Sequence, residues 1–263
     1  MIFDLGTITR ETELRHVEFH ETLDSTSKLA GELLGDLLPL SPSLVLTETQ
    51  TSGRGRGANQ WWAGSGALTF TLVHDVAQID LSPAARPLVA LAVGAAVRRS
   101  LAEYMPSNVV TLKWPNDVHV GEQKICGILT EQRVVDDKAA LLIGVGVNAN
   151  NSLQFAPPEI RNRATSIYDV TNEHTDLCQL LIQLVNEVRR SIDILVSNSD
   201  ALLAEINQHC FLRGRDVEIE TPNGIQRGTC LTIDNDGSLI LQTQTGLQGF
   251  IAGTIIGWSQ RRA

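Results

Sequence analysis

The stretch from residue 83 to residue 147 most narrowly limits how this chain can fold. It opens with a pattern typical of one long helix, 83–104, which starts at a proline and is rich in Ala, Leu and Val. Four strand-like runs follow at 109–114, 118–120, 125–135 and 139–147, with short turns predicted at 121–123 and 136–138. A buried helix followed by a meander of strands predicts an α+β fold in which helices pack on a sheet.

The flanking segments extend this arrangement. Strands are predicted near 16–22, 44–49 and 67–73, and a helix capped by Ser25 or Thr26 carries Leu29, Leu33, Leu34 and Leu37 on one face. Two further helices fit 177–196 and 200–210. Beyond residue 210, short alternating runs are separated by Asn-Gly and Asp-Gly pairs, which are strong hairpin signals. We therefore predict a mixed-sheet domain over 1–210 and a small antiparallel β-barrel over 211–263.

Composition excludes several classes of function. The chain has 263 residues and a formal net charge of -9, and only the Arg54–Arg56 loop and the Arg261–Arg262 tail are locally basic, so nucleic acid is not expected as the main partner. No apolar run approaches the ~20 residues that a membrane helix needs. The N-terminus lacks the pattern of a signal peptide, and the four cysteines show no CxxC spacing, which together predict reduced thiols in a cytoplasmic protein.

The first chemistry-bearing segment is the glycine-rich run 50–61. Its glycines at 53, 55 and 57 would let backbone N–H groups surround an anion, and Arg54 and Arg56 supply forked donors for a carboxylate or phosphate. Such a loop should be mobile when empty and fold over a negatively charged ligand. A solvated Gly/Arg linker explains the same residues equally well.

Two lysines flank the next segment. Lys113 ends an apolar strand in Lys-Trp-Pro-Asn-Asp, and Lys124 opens the returning strand, so a hairpin could bring both ammonium groups to one pocket. Lysines at strand ends are more often simply solvated. Trp114 is harder to explain in that way, because its packing would fix the following turn against the core.

Two shorter signals remain. The strand 142–148 contains Gly144 and Gly146, which would let a flat ligand or another chain approach its backbone. It is not a dinucleotide-binding fingerprint, because the third glycine, the following helix and the acidic residue are absent. Ser25, Thr26 and Ser27 at a helix start could hydrogen-bond a ureido-type ring, although a simple helix cap is the more common use of such residues.

In this order the motifs resemble those of biotin–protein ligases (biotin–acetyl-CoA-carboxylase ligases). The matching motifs are the Ser-Thr pair, Gln-x-x-Gly-Arg-Gly-Arg with a following Trp, Lys-Trp-Pro-Asn-Asp, Lys-x-x-Gly-Ile-Leu, Gly-x-Gly-x-Asn and Arg163-Ala164-Thr165-Ser166. The resemblance is strong over 24–166 and general over the C-terminal barrel. It implies a class II synthetase-like catalytic domain with a mixed β-sheet and packed helices, followed by a small C-terminal barrel.

The resemblance also implies an activity. Biotin and ATP would form biotinyl-5'-AMP and pyrophosphate, and biotin would then pass to a lysine of a biotin carboxyl carrier protein, such as that of acetyl-CoA carboxylase. Arg54, Arg56 and Lys124 would be catalytic. Biotin would lie among Ser25, Thr26, Ser27, Gln50, Gly53, Arg54, Gly55, Arg56, Lys124 and Gly127. ATP would lie among Trp61, Lys113, Asn116, Asp117 and Asn148, with Mg²⁺ held mainly by its phosphates.

The sequence departs from the commoner family pattern at two positions. Ser27 stands where asparagine is frequent, and Ala58 stands where glycine is usual, which would cost about 1 kcal/mol if its φ were positive. Only 23 residues precede Asp24, too few for the winged-helix segment of repressor-type members, so operator DNA is not expected as a partner.

Two alternative functions fit the same motifs less well. They are a lipoate or octanoate ligase or transferase of the same superfamily, and a non-catalytic biotin-responsive binding module. A homodimer formed through an exposed strand edge is also conceivable.

Overall fold

A computed structural model describes residues 2–260 of the chain; Arg261 and Arg262, the predicted basic tail, lie outside the described residues. The fourteen strands are β1 His16–Leu23, β2 Ser43–Gln50, β3 Gly53–Arg54, β4 Gln60–Trp61, β5 Leu68–Asp75, β6 Val110–Lys113, β7 Asp117–Val120, β8 Gln123–Val135, β9 Lys138–Val147, β10 Arg215–Thr221, β11 Gly224–Ile233, β12 Leu239–Thr243, β13 Gly246–Phe250 and β14 Thr254–Gln260. The α-helices are α1 Leu5–Glu11, α2 Thr26–Glu32, α3 Leu34–Leu37, α4 Val89–Tyr104, α5 Pro158–Arg161, α6 Ile167–Thr171, α7 Leu177–Ser197 and α8 Ser199–Gln208. Short 3₁₀ helices cover Leu38–Leu40, Val76–Gln78, Pro83–Leu88 and Leu153–Phe155.

The larger sheet has seven strands in the order β1-β2-β5-β9-β8-β7-β6. Only β1 and β2 run parallel, and every other neighbouring pair is antiparallel, so the prediction of a mixed sheet is confirmed. The meander predicted over 109–147 is present as β6 to β9. Its register places Gly127 of β8 opposite Gly146 of β9, and Gly146 opposite Thr69 of β5, so three strands present small residues side by side.

Helices cover both faces of this sheet. On one face α4, α7 and α8 pack together against residues such as Leu44 and Leu46 of β2, while on the other face α2 and α3 pack against Val45. Because side chains alternate along a strand, β2 must be apolar on both sides, and its central residues are fully buried.

Two predicted helices are each divided in the structure. The segment predicted as one helix over 83–104 begins with the 3₁₀ turn Pro83–Leu88, and α4 starts only at Val89. Pro87 explains this division, because proline has no N–H to donate to an α-helical ladder and its ring crowds the preceding turn. The helix predicted after Ser25 also breaks, at Leu33, into α2 and α3.

The smaller sheet is antiparallel, with its five strands in the order β13-β12-β11-β10-β14. Its apolar face joins the core of the larger sheet in one continuous buried cluster, and the buried Trp114 indole donates a hydrogen bond to the carbonyl of Gly237 at 2.9 Å. Closure of this sheet into a barrel, and a domain boundary at residues 210 and 211, remain predictions.

All four cysteines are free and buried, and no helix within residues 2–260 has both the length and the apolar character needed to cross a membrane.

Candidate active site

A cavity of about 690 Å³ opens on the face of the larger sheet where the predicted motifs meet. It contains thirteen of the fifteen residues predicted for the site: Ser25, Thr26, Ser27, Gln50, Arg54, Gly55, Arg56, Trp61, Lys113, Asn116, Asp117, Lys124 and Gly127. These residues come from the start of α2, the β3–β4 ribbon and strands β6 to β8. The structure therefore brings together segments that lie up to a hundred positions apart in the chain.

One end of the cavity is neutral and polar. Gln50 accepts hydrogen bonds from the backbone N–H of Thr26 at 2.9 Å and from its hydroxyl at 3.3 Å. The Thr26 hydroxyl in turn accepts from Thr71, whose oxygen lies 3.1 Å from that of Ser27. Ser25 occupies the cap position of α2 but makes no side-chain cap hydrogen bond. A simple helix cap therefore does not account for these hydroxyls, which form a buried chain at the wall of the cavity.

Glycines form the floor of the cavity and hold an aromatic ring close to the sheet. A Cβ atom added at Gly146 would lie 2.5 Å from the Trp61 ring, and one added at Gly127 would lie 3.2 Å from the same ring. At Gly144 an added Cβ would lie 2.5 Å from the Ser27 hydroxyl. Side chains of the same chain, the Trp61 indole and Ser27 at the start of α2, approach Gly146 and Gly144 closely, and the approach of a flat ligand or another chain remains a prediction.

The glycine-rich segment is a short antiparallel ribbon formed by β3 and β4, which we call the flap (residues 53–61). Arg54 forms a two-pronged ion pair with Glu131 of β8, at 3.2 and 3.3 Å. Arg56 instead donates to the carbonyl of Gly253, in the segment between β13 and β14. Gly57 has φ +65°, whereas Ala58 does not have a positive φ, so the strain considered for Ala58 does not arise.

The opposite end of the cavity is cationic. The Lys124 ammonium lies 2.6 Å from a carboxylate oxygen of Asp117 on the neighbouring strand β7. Its backbone is fixed as well, because Lys124 pairs with Ala164 through hydrogen bonds to Arg163 and Thr165. The family-like segment 163–166 therefore supports Lys124 from behind.

Asn116 and Lys113 complete the cationic end. Asn116 lines the cavity, and its side-chain amide donates to the carbonyl of Ile128 at 2.6 Å. Burial is the main cause that lowers the pKa of the Lys113 ammonium below its usual value, with Asp117 opposing the shift and Lys124 adding to it.

Two predicted site residues do not line the cavity. Gly53 lies beneath it, where an added Cβ would fall 2.4 Å from the carbonyl oxygen of Trp61 and 2.5 Å from the Gln50 amide nitrogen. Asn148 is buried, donates to the carbonyl of Thr165 and accepts from Asn151, both at 3.0 Å. Both residues have clear supporting contacts, and a direct ligand contact for either one remains a prediction.

The structure also adds residues that sequence reasoning missed. Thr69 and Thr71 line or support the neutral end from β5, and their only sequence signal was a polar residue at alternate positions of an apolar strand. The segment 252–255, which leads into β14, lines the cavity from the smaller sheet. No local motif marks that segment, because its place at the site depends on how the two sheets pack.

Comparison with known proteins agrees with these observations. The biotin/lipoate A/B protein ligase family matches residues 19–148, and the biotin protein ligase C-terminal domain matches residues 213–257. The biotin–[acetyl-CoA-carboxylase] ligase of Mycobacterium tuberculosis is 30% identical over 201 residues, which cover 75% of this chain and 72% of that protein. The bifunctional ligase/repressor BirA of Bacillus subtilis is 28% identical over 247 residues, covering 92% and 74% respectively.

A solved structure shows the same fold. The biotin protein ligase of Aquifex aeolicus, determined in complex with biotin and ATP, superposes with a TM-score of 0.78 at 23% identity. The match covers 94% of this chain and 100% of that one. Both sheets therefore belong to a fold that the two proteins share.

Proposed function

The chain belongs to the biotin protein ligase family, and from this premise we propose how its cavity carries out the two half-reactions. In the first, biotin and ATP form biotinyl-5'-AMP and release pyrophosphate. In the second, the amine of a lysine on a biotin carboxyl carrier protein attacks the activated carbonyl and AMP leaves. The single observation that carries this proposal is a cavity with a neutral hydroxyl-lined end, a glycine floor and a cationic end.

The three parts of the cavity match the three parts of biotin. A ureido ring has both donors and acceptors and no charge, which suits the hydroxyls of Ser25, Thr26 and Ser27 beside Gln50. The apolar remainder of the molecule suits the floor around Gly127. The carboxylate would then reach the cationic end, where Lys124 is already held by Asp117.

The cations address the chemical difficulty of the first step. Biotin carboxylate and ATP are both anions, and negative charge builds on the departing pyrophosphate as the mixed anhydride forms. Fixed positive groups at that position stabilise the transition state more than the separate reactants. We assign this role to Arg54, Arg56 and Lys124, and we place ATP among Trp61, Lys113, Asn116 and Asp117, with Asn148 holding the adjoining segment.

Arg54 and Arg56 need only exchange partners to take up this role. Arg54 now pairs with Glu131, and Arg56 with the Gly253 carbonyl, so neither arginine is committed to a ligand. Closure of the flap over the adenylate would exclude water from a reactive acyl phosphate until the carrier lysine arrives.

Magnesium would accompany the nucleotide. Within residues 2–260 no cluster of three or more His, Cys, Asp or Glu side chains could hold a metal ion, so we infer that Mg²⁺ is bound mainly by the phosphates. When bound there, it would neutralise charge on the leaving pyrophosphate. A cytoplasmic location and a barrel-like closure of the smaller sheet complete the proposal as predictions from the sequence.

The test is pyrophosphate exchange into ATP, measured separately with biotin, lipoate and octanoate. We expect exchange with biotin alone, because lipoate and octanoate have no ureido group that could pair with the hydroxyls of Ser25, Thr26 and Ser27. Exchange with lipoate or octanoate would favour a different acyl ligase of the superfamily. Tight biotin binding without any exchange would favour a non-catalytic binding module.

A further inference from the structure

An aromatic side chain of the smaller sheet lies directly against a lysine of the cavity. The Lys113 ammonium is 4.1 Å from the ring centroid of Trp258, which lies on β14. Lys113 ends β6 of the larger sheet, so this contact crosses from one sheet to the other. Trp258 itself does not line the cavity and meets Lys113 from behind.

Lys113 and Lys124 both lie near a tryptophan ring, at 4.1 and 5.7 Å from the ring centroids, but only Lys124 also has a carboxylate partner. Lys124 forms an ion pair with Asp117 at 2.6 Å, whereas no carboxylate of residues 2–260 lies within 4.0 Å of the Lys113 ammonium. A half-buried ammonium without an ion pair is unfavourable unless some other group stabilises its charge. The face of an indole does so through its quadrupole, and it leaves the N–H donors of the ammonium available for an anion.

The Trp258 ring is fixed by two neighbours. Phe211 meets it edge to face with a centroid separation of 5.6 Å and an interplanar angle of 85°, and His119 meets it at 6.4 Å and 79°. Phe211 and His119 also pack on each other at 5.2 Å. An aromatic ring packed on two sides presents a defined face to Lys113.

We propose that Trp258 is a positioning residue that holds Lys113 in the cavity by a cation–π contact, with its N–H donors directed to anionic oxygens of the nucleotide. The smaller sheet would thereby help to determine affinity for ATP without touching it. This proposal rests on the function proposed above. The two are distinguishable, because the wild-type protein must first exchange pyrophosphate with biotin before Trp258 is tested.

The experiment is a double-mutant cycle in the pyrophosphate-exchange assay, with KM measured for ATP and for biotin. Trp258→Leu keeps an apolar side chain but removes the ring, and we expect it to raise KM for ATP by about 3- to 30-fold, the range of one cation–π contact. KM for biotin should change less than twofold. Trp258→Phe keeps a ring face and should show a smaller effect in the same direction.

The cycle separates positioning from general stability. In a Lys113→Met background, Trp258→Leu should no longer change KM for ATP, because the group that it positions is gone. Equal changes for both substrates, an unchanged KM for ATP, or the same fold-change with and without Lys113 would each overturn the proposal. Phe250→Leu is the matched control, since it removes an aromatic ring at the far edge of the same sheet and should leave both KM values unchanged.

If Trp258→Leu does not fold, judged by circular dichroism, the cycle is completed with Trp258→Phe. The results for Trp258→Phe are interpreted in the same way as those for Trp258→Leu. A rise in KM for ATP that disappears in Lys113→Met supports the proposal, and an effect that is absent or independent of Lys113 overturns it.

Discussion

The two ends of the cavity differ in how their polar and charged groups are held. At the neutral end, Thr26, Thr71 and Gln50 hydrogen-bond one another within the rigid larger sheet and α2. At the cationic end, three charged groups are held by partners that a ligand could replace or share: Arg54 by Glu131, Arg56 by a carbonyl, and Lys124 by Asp117. The neutral end is thus formed in advance, whereas the cationic end must rearrange when a ligand binds.

This difference suggests a division of labour. A preformed set of hydroxyls can select a ligand, since an unpaired buried polar group penalises any ligand that fails to match it. Cations that exchange partners when the ligands bind are then in place for charge that appears only during the reaction. Changes at the neutral end should therefore affect stability and selection of biotin, and changes at the cationic end should affect the rate and retention of the adenylate.

The largest effect is expected from Lys124→Ala. Removing one fixed group that stabilises transition-state charge typically lowers the rate by about 10²–10³-fold, or roughly 3–4 kcal/mol. We expect a loss of this size in single-turnover formation of biotinyl-AMP, with little change in the free energy of unfolding. Lys138→Ala, an exposed lysine on β9 of the same sheet, is the control. Adenylation at a near-normal rate would remove Lys124 from the catalytic set.

Arg56→Gly should act on retention rather than on formation. A hydrogen bond from a charged group is worth about 1.5–3 kcal/mol, so the adenylate should leave about 10- to 150-fold faster. Released adenylate acylates exposed lysines at random, and bystander proteins added to the assay should become biotinylated. Arg213→Gly, at an exposed arginine in the turn before β10, should retain strict selectivity for the carrier. Equal selectivity in the two variants would contradict a closing role for the flap.

Thr71→Val tests the neutral end. Valine has nearly the same shape, but it removes the donor to Thr26 and the partner of Ser27, and an unsatisfied buried group costs about 1–3 kcal/mol. Urea unfolding without ligands should show this loss, and biotin binding should weaken more than ATP binding. Thr111→Val is the matched control, because the Thr111 hydroxyl is buried without a hydrogen-bond partner among residues 2–260. We expect that control to be neutral or stabilising, and equal losses in both variants would show that the hydroxyl chain has no special value.

The sequence predicted the parts of this site that carry a local signal. At Gly53, Gly127, Gly144 and Gly146 an added Cβ atom would come too close to Trp61, Gln50 or Ser27. Such positions require glycine, so the residue type itself indicates them in the sequence. Hairpin geometry allowed Lys113 and Lys124 to share a pocket, although solvated lysines were the commoner interpretation of such strand ends, and both line the same cavity. Positions that require a charged side chain or a close backbone approach can be recognised from the sequence, because few residue types satisfy these requirements.

Other parts could not be predicted from the sequence. Thr71 belongs to a residue type that is common in strands for reasons of shape, so nothing distinguished its hydroxyl before the register of β5 and the position of α2 were known. The segment 252–255 reaches the cavity, and Trp258 reaches Lys113, only through packing of the two sheets, which depends on contacts more than a hundred positions apart in the chain. The division of the predicted helix into a 3₁₀ turn and α4 was not predicted, because the helical periodicity of the sequence continues through Pro87.

The smallest effect concerns the histidine behind the cationic end. Burial, followed by the nearby charge of Lys113, lowers the pKa of His119 from 6.5 to about 3, so this ring adds no positive charge beside the two lysines. Between these values the unfolded chain binds a proton that the folded chain does not, and the free energy of unfolding must fall as the pH decreases below about 6.5. From about pH 7.5 to about pH 5.5 the contribution of His119 is about 1.4 kcal/mol.

The His119→Phe variant isolates this contribution. Phenylalanine can keep the contacts with Phe211 and Trp258 but cannot bind a proton. His74 has a pKa lowered to about 4, mainly by burial, and it titrates in both proteins, so its effect cancels in the difference. Urea unfolding at the two pH values should show that wild-type stability falls by about 1.4 kcal/mol more than that of the variant. Parallel pH dependences would mean that His119 takes up a proton in the folded protein, and a further positive charge would then lie beside the two lysines.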